Sequence, residues 1–381
     1  MKVGKTAVLI GLAAAAVPSI SCVFAWQNLM QEIQNAKYRE TYKGPYERTV
    51  KATFQFTIKA DGNTPAGDPW QVWQALPRDT MTQKVISATQ FDVEPTDEFT
   101  DPDFGNTIAY WDFSEDEELT VNAEFTLKVN NVLNDIDPNE VGEYDTESDE
   151  YKLYTRSERV ILINDQIQAI ADGIEADCED ADNPYLLAKC AFQWVLDHVV
   201  YMYPTANEGY MESILADTIE HDGVTYYRGD CGTYSALYNS ILRAMGIPAR
   251  MAVGGWSLEE DQWHVWSEIL IPGYGWIPVD TSAADVFLYD EGDELNALGE
   301  KYFGGAPFAP NAEFYFGNID PYRFVLSIGN DIALTPAPDW DFNEYGQTVY
   351  YYQGRSGYMQ TPIYHFGLSL EGWIKFEEVE E

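Results

Sequence analysis

The spacing of apolar residues changes twice along this chain, and each change restricts what the segment can fold into. From 46 to 131 apolar and polar residues alternate, which is the pattern of strands that bury one face. From about 160 to 245 apolar residues recur at every third or fourth position, as in amphipathic helices, and from 249 to 280 the period returns to two. This order predicts an α+β protein with a β domain in front of a mixed core.

The alternating region is predicted to be a β-sandwich over 46–131. Its two clearest runs are Val50 to Ile58 and Val121 to Val129, and turn residues separate the strand-like segments between them. The next stretch, 132–154, is acidic and poor in large apolar residues, so we predict a linker or an exposed loop there.

The mixed core is predicted to span 155–285. Helical spacing places one helix at about 162–175 and a second from Pro184 to about Tyr203. Strand-like runs continue through 286–381, which we predict to be a β-rich extension packed on the core.

The charge of the chain restricts its partners. The formal net charge is -41, from 63 acidic and 22 basic residues. Nucleic acid and anionic membrane surfaces are therefore not expected as partners, because like charges repel. An acidic surface fits a cation-rich or salty exterior, and it equally fits a surface that carboxylates keep soluble.

The first 26 residues have the organisation of an export signal. Lys2 and Lys5 precede an apolar run from Thr6 to Val17, and Val23-Phe24-Ala25 offers small residues for a signal peptidase. We predict a signal peptide or an N-terminal membrane anchor over 1–26, and hence an extracellular or cell-surface protein.

Four cysteines are present, and an odd number remains if Cys22 is removed with the signal. Lipidation of Cys22 is a minority interpretation, because the apolar residue expected three positions earlier is absent. Cys178 and Cys190 are close enough in sequence for a local disulfide, which would leave Cys231 free. Two buried thiols are the alternative, because Cys190 lies in a helical apolar pattern.

Cys231 lies at the predicted start of a helix. Unpaired N–H groups and the helix dipole favour an anion at that position, and the thiolate is the nucleophilic form of cysteine. Taken alone, such a cysteine is more often a small buried residue than a nucleophile. The helix itself is predicted from the spacing of Leu237, Ile241, Leu242 and Met245 and from the stop signals Gly246 and Pro248.

A hairpin is predicted downstream of this helix. His264 lies near the start of its first strand, Asp280 ends its second strand, and Pro272 to Gly275 form the turn. Symmetry about residue 272 predicts that His264 and Asp280 lie level on adjacent strands. Nucleophile, base and orienting carboxylate are the three groups that thiol acyl transfer requires, and Cys231, His264 and Asp280 would supply them.

Four segments together resemble the transglutaminase-like superfamily of papain-fold cysteine enzymes. They are Gly229-Asp230-Cys231-Gly232-Thr233-Tyr234-Ser235-Ala236-Leu237, Gly246-Ile247-Pro248-Ala249-Arg250, Trp263-His264-Val265-Trp266-Ser267-Glu268 and Gly275-Trp276-Ile277-Pro278-Val279-Asp280. The family's catalytic cysteine, histidine and aspartate fall on Cys231, His264 and Asp280. The stretch from Phe316 to Arg323 also resembles the tail that follows this core in microbial members.

The resemblance implies a papain-like core of helices packed on an antiparallel sheet, and acyl transfer from a peptide or protein substrate. Water as acceptor would make a peptidase or amidase, which we favour slightly, and a lysine amine would make a cross-linking transferase. Family members often add an aromatic or amide side chain that stabilises the oxyanion. Trp194 and Tyr201 are the candidates, although packing is the default explanation for both residues.

The sequence predicts no cofactor and no metal site, since the histidines other than His264 lack partners at ligand spacing. Calcium is a minor alternative that no EF-hand pattern supports. The acidic cluster considered for calcium is Asp177, Glu179, Asp180 and Asp182.

A rival hypothesis is a catalytically idle envelope protein that uses the same scaffold for binding or structure. The intact set of triad residue types argues against it.

Overall fold

The structure is a computed structural model that describes residues 47–60, 70–113, 119–202, 210–221, 223–257, 263–286, 312–336, 350–351, 359–362 and 368–379. The predicted signal or anchor over the first 26 residues, Cys22 within it and His365 lie outside the described residues.

Strands come first, a region of helices and strands follows, and strands come last, which is the predicted order. The strands are β1 (Glu47–Ala60), β2 (Trp70–Ala75), β3 (Gln83–Phe91), β4 (Asp97–Thr100), β5 (Thr107–Phe113), β6 (Leu119–Asn130), β7 (Val199–Tyr201), β8 (Thr218–His221), β9 (Val224–Gly229), β10 (Ala249–Trp256), β11 (Trp263–Ile271), β12 (Gly275–Val279), β13 (Arg323–Ile328), β14 (Ile332–Ala333), β15 (Tyr350–Tyr351), β16 (Met359–Pro362) and β17 (Leu368–Glu378). The helices are α1 (Asp149–Thr155), α2 (Asp165–Asp177), α3 (Pro184–His198), α4 (Met211–Ala216), α5 (Cys231–Ala244) and α6 (Thr281–Val286).

The N-terminal region is the predicted β-sandwich. Its sheets have the strand orders β17-β1-β6-β3 and β16-β2-β5-β4. The alternation of the sequence explains the layer between them, because every second side chain of β1 and β6 points inward. The buried members of these two strands are Val50, Ala52, Phe54, Phe56, Val121, Ala123, Phe125, Leu127 and Val129.

The C-terminal extension is divided between the two domains, which differs from our prediction that it packs on the core. β17 pairs antiparallel with β1 from Val50↔Glu378 to Ala60↔Leu368, and β16 pairs with β2. β13, by contrast, pairs with β10 of the core. An edge strand leaves its N–H and C=O groups unpaired, and the C-terminal strand satisfies those of β1.

The segment 132–154, predicted as a linker or exposed loop, is folded against the core. Its backbone forms a bridge between Val132 and Ile319, and the hydroxyl of Tyr144 donates to the carbonyl of Leu270 at 2.7 Å. Isolated apolar side chains such as Leu133, Ile136 and Val141 pack on the core beside these polar contacts, and they are too widely spaced in the sequence to form a helical or strand pattern.

The core sheet has the strand order β12-β11-β10-β13, and α5 packs on it. Helices α2 and α3 pack on α5, which is almost entirely buried. The helix predicted to run to Tyr203 ends at His198, because Val199–Tyr201 pairs in parallel with β9 instead. The core thus matches the predicted architecture of helices on an antiparallel sheet.

Two side-chain amides of the sandwich complete the outer edge of β13. The Gln83 amide donates to the Val325 carbonyl at 2.7 Å and accepts from the Val325 N–H at 2.8 Å. Asn106 makes the same pair of bonds with Ile328, at 2.8 and 2.9 Å. These amides replace a neighbouring strand, so the sandwich fixes the position of β13 in the core sheet.

Asp331 introduces a pH-dependent contribution to stability at the end of this edge. It has φ 47°, and its Oδ2 accepts the backbone N–H groups of Arg159 at 2.7 Å and Val160 at 2.9 Å. Burial, aided by the charge of Glu158 and opposed by these two hydrogen bonds, raises the pKa of Asp331 to about 6. The folded state therefore favours the neutral carboxyl group more strongly than the unfolded chain does.

We expect this residue to lower stability as pH rises from about 4 to 7, since a raised folded-state pKa favours folding only below it. Asp331→Asn keeps the acceptor oxygen, tolerates the left-handed backbone and does not ionise. The difference in unfolding free energy between variant and wild type should change by roughly 2 kcal/mol in favour of the variant across that range. Urea titrations of both proteins at pH 4.5 and 7.5 measure this change. A stability difference that is equal at the two pH values would contradict the raised pKa of Asp331.

Candidate active site

Cys231 is the first residue of α5, and the preceding Asp230 caps that helix. One carboxylate oxygen of Asp230 accepts the N–H groups of Gly232 at 3.0 Å and Thr233 at 3.3 Å. Aspartate at this position satisfies N–H groups that have no partner within the helix. The cap therefore satisfies two N–H groups of the helical turn that carries the sulfur.

The environment of the Cys231 thiol opposes its ionisation. The residue is half-buried and is the one described cysteine outside a disulfide. Burial first, and then the negative charge of Asp230, raise the pKa of the thiol above its ordinary range. Hydrogen bonds with the backbone of Val265 and Gly232 act in the opposite direction. The contact with Val265 places the sulfur beside the residue that follows His264.

Removal of the Asp230 charge is expected to make Cys231 more reactive. Asp230→Asn keeps an equally good helix cap but lowers the thiol pKa, because the adjacent negative charge is lost. We expect alkylation by iodoacetamide at pH 7.5 to become about 3- to 10-fold faster, since the thiolate is the reacting form. A second-order rate from mass spectrometry measures it, and an unchanged rate would exclude this influence of Asp230. Asp230→Ser is the matched variant, because serine also caps the helix without a charge. It should show the same increase in alkylation rate as Asp230→Asn.

His264 and Asp280 are in direct contact and both are buried. His264 Nε2 lies 2.8 Å from Asp280 Oδ2, and each side chain has 0% exposure. A histidine whose Nε2–H donates to a carboxylate presents Nδ1 as the nitrogen available for proton exchange with a thiol.

The hairpin register differs from the prediction by two residues. β11 and β12 pair as Ser267↔Val279 and Ile271↔Gly275, so continuing the ladder places Asp280 opposite Trp266. The centre of the turn lies at Gly273, where Gly273 and Gly275 adopt positive φ angles of 88° and 79°. His264 and Asp280 are thus diagonal neighbours on one face, a spacing that still allows side chains to touch.

Asp280 has donors at both of its oxygens. Oδ2 faces His264 and also lies 2.8 Å from Nη1 of Arg323, while Oδ1 accepts the Ala283 N–H at 2.9 Å and the Ser282 hydroxyl at 3.0 Å. Burial opposes ionisation of Asp280, but the positive charges of His264 and Arg323 and these hydrogen bonds outweigh it. The pKa of Asp280 is therefore well below its ordinary value.

The structure separates the two oxyanion candidates by their surroundings. Trp194 lies on α3 and stacks on His198 with ring centroids 4.3 Å apart. Tyr201 is buried on β7, where it pairs with Gly229, two residues before Cys231. An oxyanion role for either residue stays a prediction, and the backbone places Tyr201 nearer to the start of α5.

Cys178 and Cys190 form a disulfide with Cα atoms 6.1 Å apart, which decides between the local disulfide and the two buried thiols that the sequence allowed.

No group of three or more histidine, cysteine, aspartate or glutamate side chains within the described residues is arranged to hold a metal ion. Among the helices that the structure describes, none combines the length and apolar character that a bilayer crossing requires.

Arg323 and Asp320 are the site residues that sequence reasoning missed. They belong to the stretch whose resemblance to microbial members was noted, but no role was assigned to them. A charged residue at the start of an apolar strand-like run is a signal for a buried ion pair. Its partner Asp280 is 43 positions away (323 minus 280), and no local pattern indicates that distance.

Comparisons with known proteins agree with this architecture. The family model described as the transglutaminase-like superfamily matches residues 169–281. No curated protein matches the chain. A solved structure provisionally described as a cysteine protease from Cytophaga hutchinsonii is similar with a TM-score of 0.53 and 13% identity, over 89% of this chain and 94% of that chain. At this identity the similarity concerns the fold alone.

The periplasmic domain of TgpA from Pseudomonas aeruginosa also matches, with 16% identity over 70% of this chain and 96% of that chain. Its TM-score of 0.32 is too low to support an argument. The family match and the fold show that residues 169–281 form a transglutaminase-like domain, as the sequence motifs predicted.

Proposed function

We propose that this protein is an exported enzyme that transfers acyl groups from peptide amide bonds through Cys231, His264 and Asp280. The observation that carries the proposal is the buried 2.8 Å contact between His264 and Asp280, together with a half-buried thiol at the start of a helix whose sulfur contacts the backbone of Val265, the residue after His264. A histidine oriented by a buried carboxylate beside a thiol is the arrangement that thiol acyl transfer requires.

In the first half-reaction Cys231 attacks the amide carbonyl carbon. Because the thiol pKa is raised, the sulfur starts as S–H, and His264 takes its proton as the C–S bond forms. The carbonyl oxygen becomes an oxyanion, to which the backbone N–H of Cys231 can donate. The resulting imidazolium gives its proton to the nitrogen as the C–N bond breaks, so an amine or ammonia leaves and a thioester remains.

In the second half-reaction an acceptor releases the acyl group. His264 takes a proton from water or from an amine as that group attacks the thioester, the C–S bond breaks, and Cys231 regains the proton. Asp280 remains ionised throughout and stabilises the imidazolium in both halves. Water as acceptor gives hydrolysis, which we favour, and a lysine amine gives a cross-link.

Export is the second part of the proposal. The disulfide between Cys178 and Cys190 supports it, because disulfides persist mainly in oxidising compartments. The charged and apolar pattern of the first 26 residues supports it independently. A peptide or protein is the proposed substrate.

The test incubates the full-length protein with a glutamine-bearing peptide and a labelled amine, and follows the peptide by mass. A gain of about 1 Da at the glutamine of the peptide, or cleavage of the peptide, indicates hydrolysis. Incorporation of the labelled amine into the peptide indicates transfer. A parallel sample with chelator tests the calcium alternative. Cys231→Ala is the matched control, and turnover by this variant equal to wild type would contradict the proposal.

A further inference from the structure

Arg323 connects the site to a second buried carboxylate that the steps above do not use. Its Nη1 lies 2.8 Å from Asp280 Oδ2, its Nη2 lies 2.9 Å from Asp320 Oδ2, and its Nε donates to the same Asp320 oxygen at 3.0 Å. All three side chains are buried. A guanidinium presents donors in a fixed plane, so two carboxylates bound to it are held at a fixed separation.

The surroundings of this pair are rigid. Asp320 Oδ1 accepts the Tyr322 N–H at 3.0 Å, and its Oδ2 accepts the Tyr315 hydroxyl at 3.2 Å. The Trp256 ring covers the guanidinium, with its centroid 3.5 Å from the Arg323 Cζ. Arg323 also begins β13, the strand that Gln83 and Asn106 hold from the sandwich side. Neither charge of the pair can move without disturbing several bonded neighbours.

The charges of the cluster balance only when His264 is protonated. Asp280 and Asp320 carry two negative charges, Arg323 carries one positive charge, and an imidazolium at His264 would bring the sum to zero. Without Asp320, Arg323 alone would compensate the charge of Asp280, and the imidazolium would be stabilised less. Burying a charge pair contributes little to stability after desolvation, so a role in the site explains this pair better than stability does.

We propose that Arg323 and Asp320 are positioning residues for the reaction: Arg323 fixes Asp280 against His264, and Asp320 neutralises Arg323 so that the Asp280 charge serves the imidazolium. This inference rests on the proposed function. Among the described residues, the charges of Asp230 on the α5 cap and Asp280 after β12 act on Cys231. His264 and Arg323 act on Asp280, and Asp320 and Tyr315 act on Arg323 together with Asp280.

The test is an NMR titration of the His264 imidazole in the full-length protein. The chain has four histidines, so histidine-labelled samples give few signals, and His264→Gln assigns the one of interest. Cys231→Ala serves as the background, because it removes coupling to the thiol. There, Asp320→Asn should lower the pH midpoint of protonation by about one unit, since a negative charge is lost. Arg323→Gln should raise the midpoint, since a positive charge is lost.

Opposite shifts distinguish positioning from general destabilisation, which would not depend on the sign of the removed charge. Asp331→Asn is the matched control, because it also neutralises a largely buried aspartate but lies outside the cluster, and it should leave the midpoint unchanged. If one variant does not fold, the other still decides. A midpoint within about 0.2 units of the background for a folded Asp320→Asn, or for a folded Arg323→Gln, would overturn the inference.

A separate measurement tests the proposed function. If His264→Gln has the same pH profile of iodoacetamide alkylation as wild type, His264 does not act on Cys231 and the proposed function fails. The NMR result does not depend on that outcome, because its background lacks the thiol. The two failures are therefore distinguishable.

Discussion

Replacing Cys231 by alanine is expected to reduce acyl transfer by at least about 10³-fold, because the sulfur is the atom that forms the intermediate. The same change should alter the unfolding free energy by less than about 1 kcal/mol, since the side chain is small and half-buried. The measurement is the rate of peptide conversion at saturating substrate, paired with a urea titration of each protein.

Cys231→Ser is the matched variant, since a hydroxyl of nearly the same size ionises far less readily than a thiol. It should be as inactive as the alanine variant. If the protein binds a partner without catalysis, wild type, Cys231→Ala and Cys231→Ser should all retain that partner. A pull-down combined with the turnover measurement therefore separates an enzyme from a catalytically idle binding protein. Substantial turnover by Cys231→Ala would exclude Cys231 as the nucleophile.

Asp280→Asn is expected to affect both activity and stability, although it is usually a conservative change. Donors face both oxygens of Asp280: His264 and Arg323 on one side, Ser282 and Ala283 on the other. An asparagine has one oxygen, so its NH₂ group must face a set of donors. We expect a loss of about 3 kcal/mol of stability, because a buried charged partner is left unpaired, and a fall in turnover of about 10²- to 10⁴-fold.

The pH dependence of this stability loss has a definite sign. A carboxylate whose folded-state pKa is depressed stabilises the fold above the unfolded value near 4, and the contribution declines as pH falls below it. The part of the stability difference between Asp280→Asn and wild type that comes from the ionised carboxylate should therefore be present at pH 5 and narrow as pH falls below 4. Urea titrations across this range measure it, and a difference that widens in acid would contradict the assignment.

Ser282→Ala is the control for this variant. It removes one hydrogen bond, from an uncharged hydroxyl, to Asp280 Oδ1 and leaves His264 and Arg323 in place. We expect a loss of about 1 kcal/mol and turnover within about tenfold of wild type. If both variants lost activity equally, the hydrogen bond from Ser282 to Asp280 Oδ1 rather than the charge of Asp280 would be the important feature.

The hairpin shows how far local sequence reasoning reaches. Alternation and turn residues predicted two strands and their order, and the motifs selected His264 and Asp280. The register could not be predicted from symmetry, because the glycine conformations at Gly273 and Gly275 determine where the turn is centred. His264 and Asp280 are in contact despite the two-residue difference in register, because the side chains of diagonal cross-strand neighbours on one face can still touch.

The two ends of the chain show where such reasoning stops. The sequence predicted strands in the last hundred residues, but periodicity says nothing about which sheet a strand joins. β17 joins β1, more than 300 residues away along the chain. The amides of Gln83 and Asn106 that hold β13 were likewise not recognisable, since a buried amide and a surface amide are identical in sequence.

The sequence by itself determined the two-domain α+β organisation, the helix start at Cys231 and the choice of His264 and Asp280, because periodicity, caps and motifs are local. Only the tertiary structure decided what surrounds these groups: the diagonal His264–Asp280 contact, the raised pKa of the half-buried thiol, and the Arg323–Asp320 pair behind Asp280. These depend on distances between residues far apart in the chain and on exclusion of water, and both arise only when the strands and helices pack together.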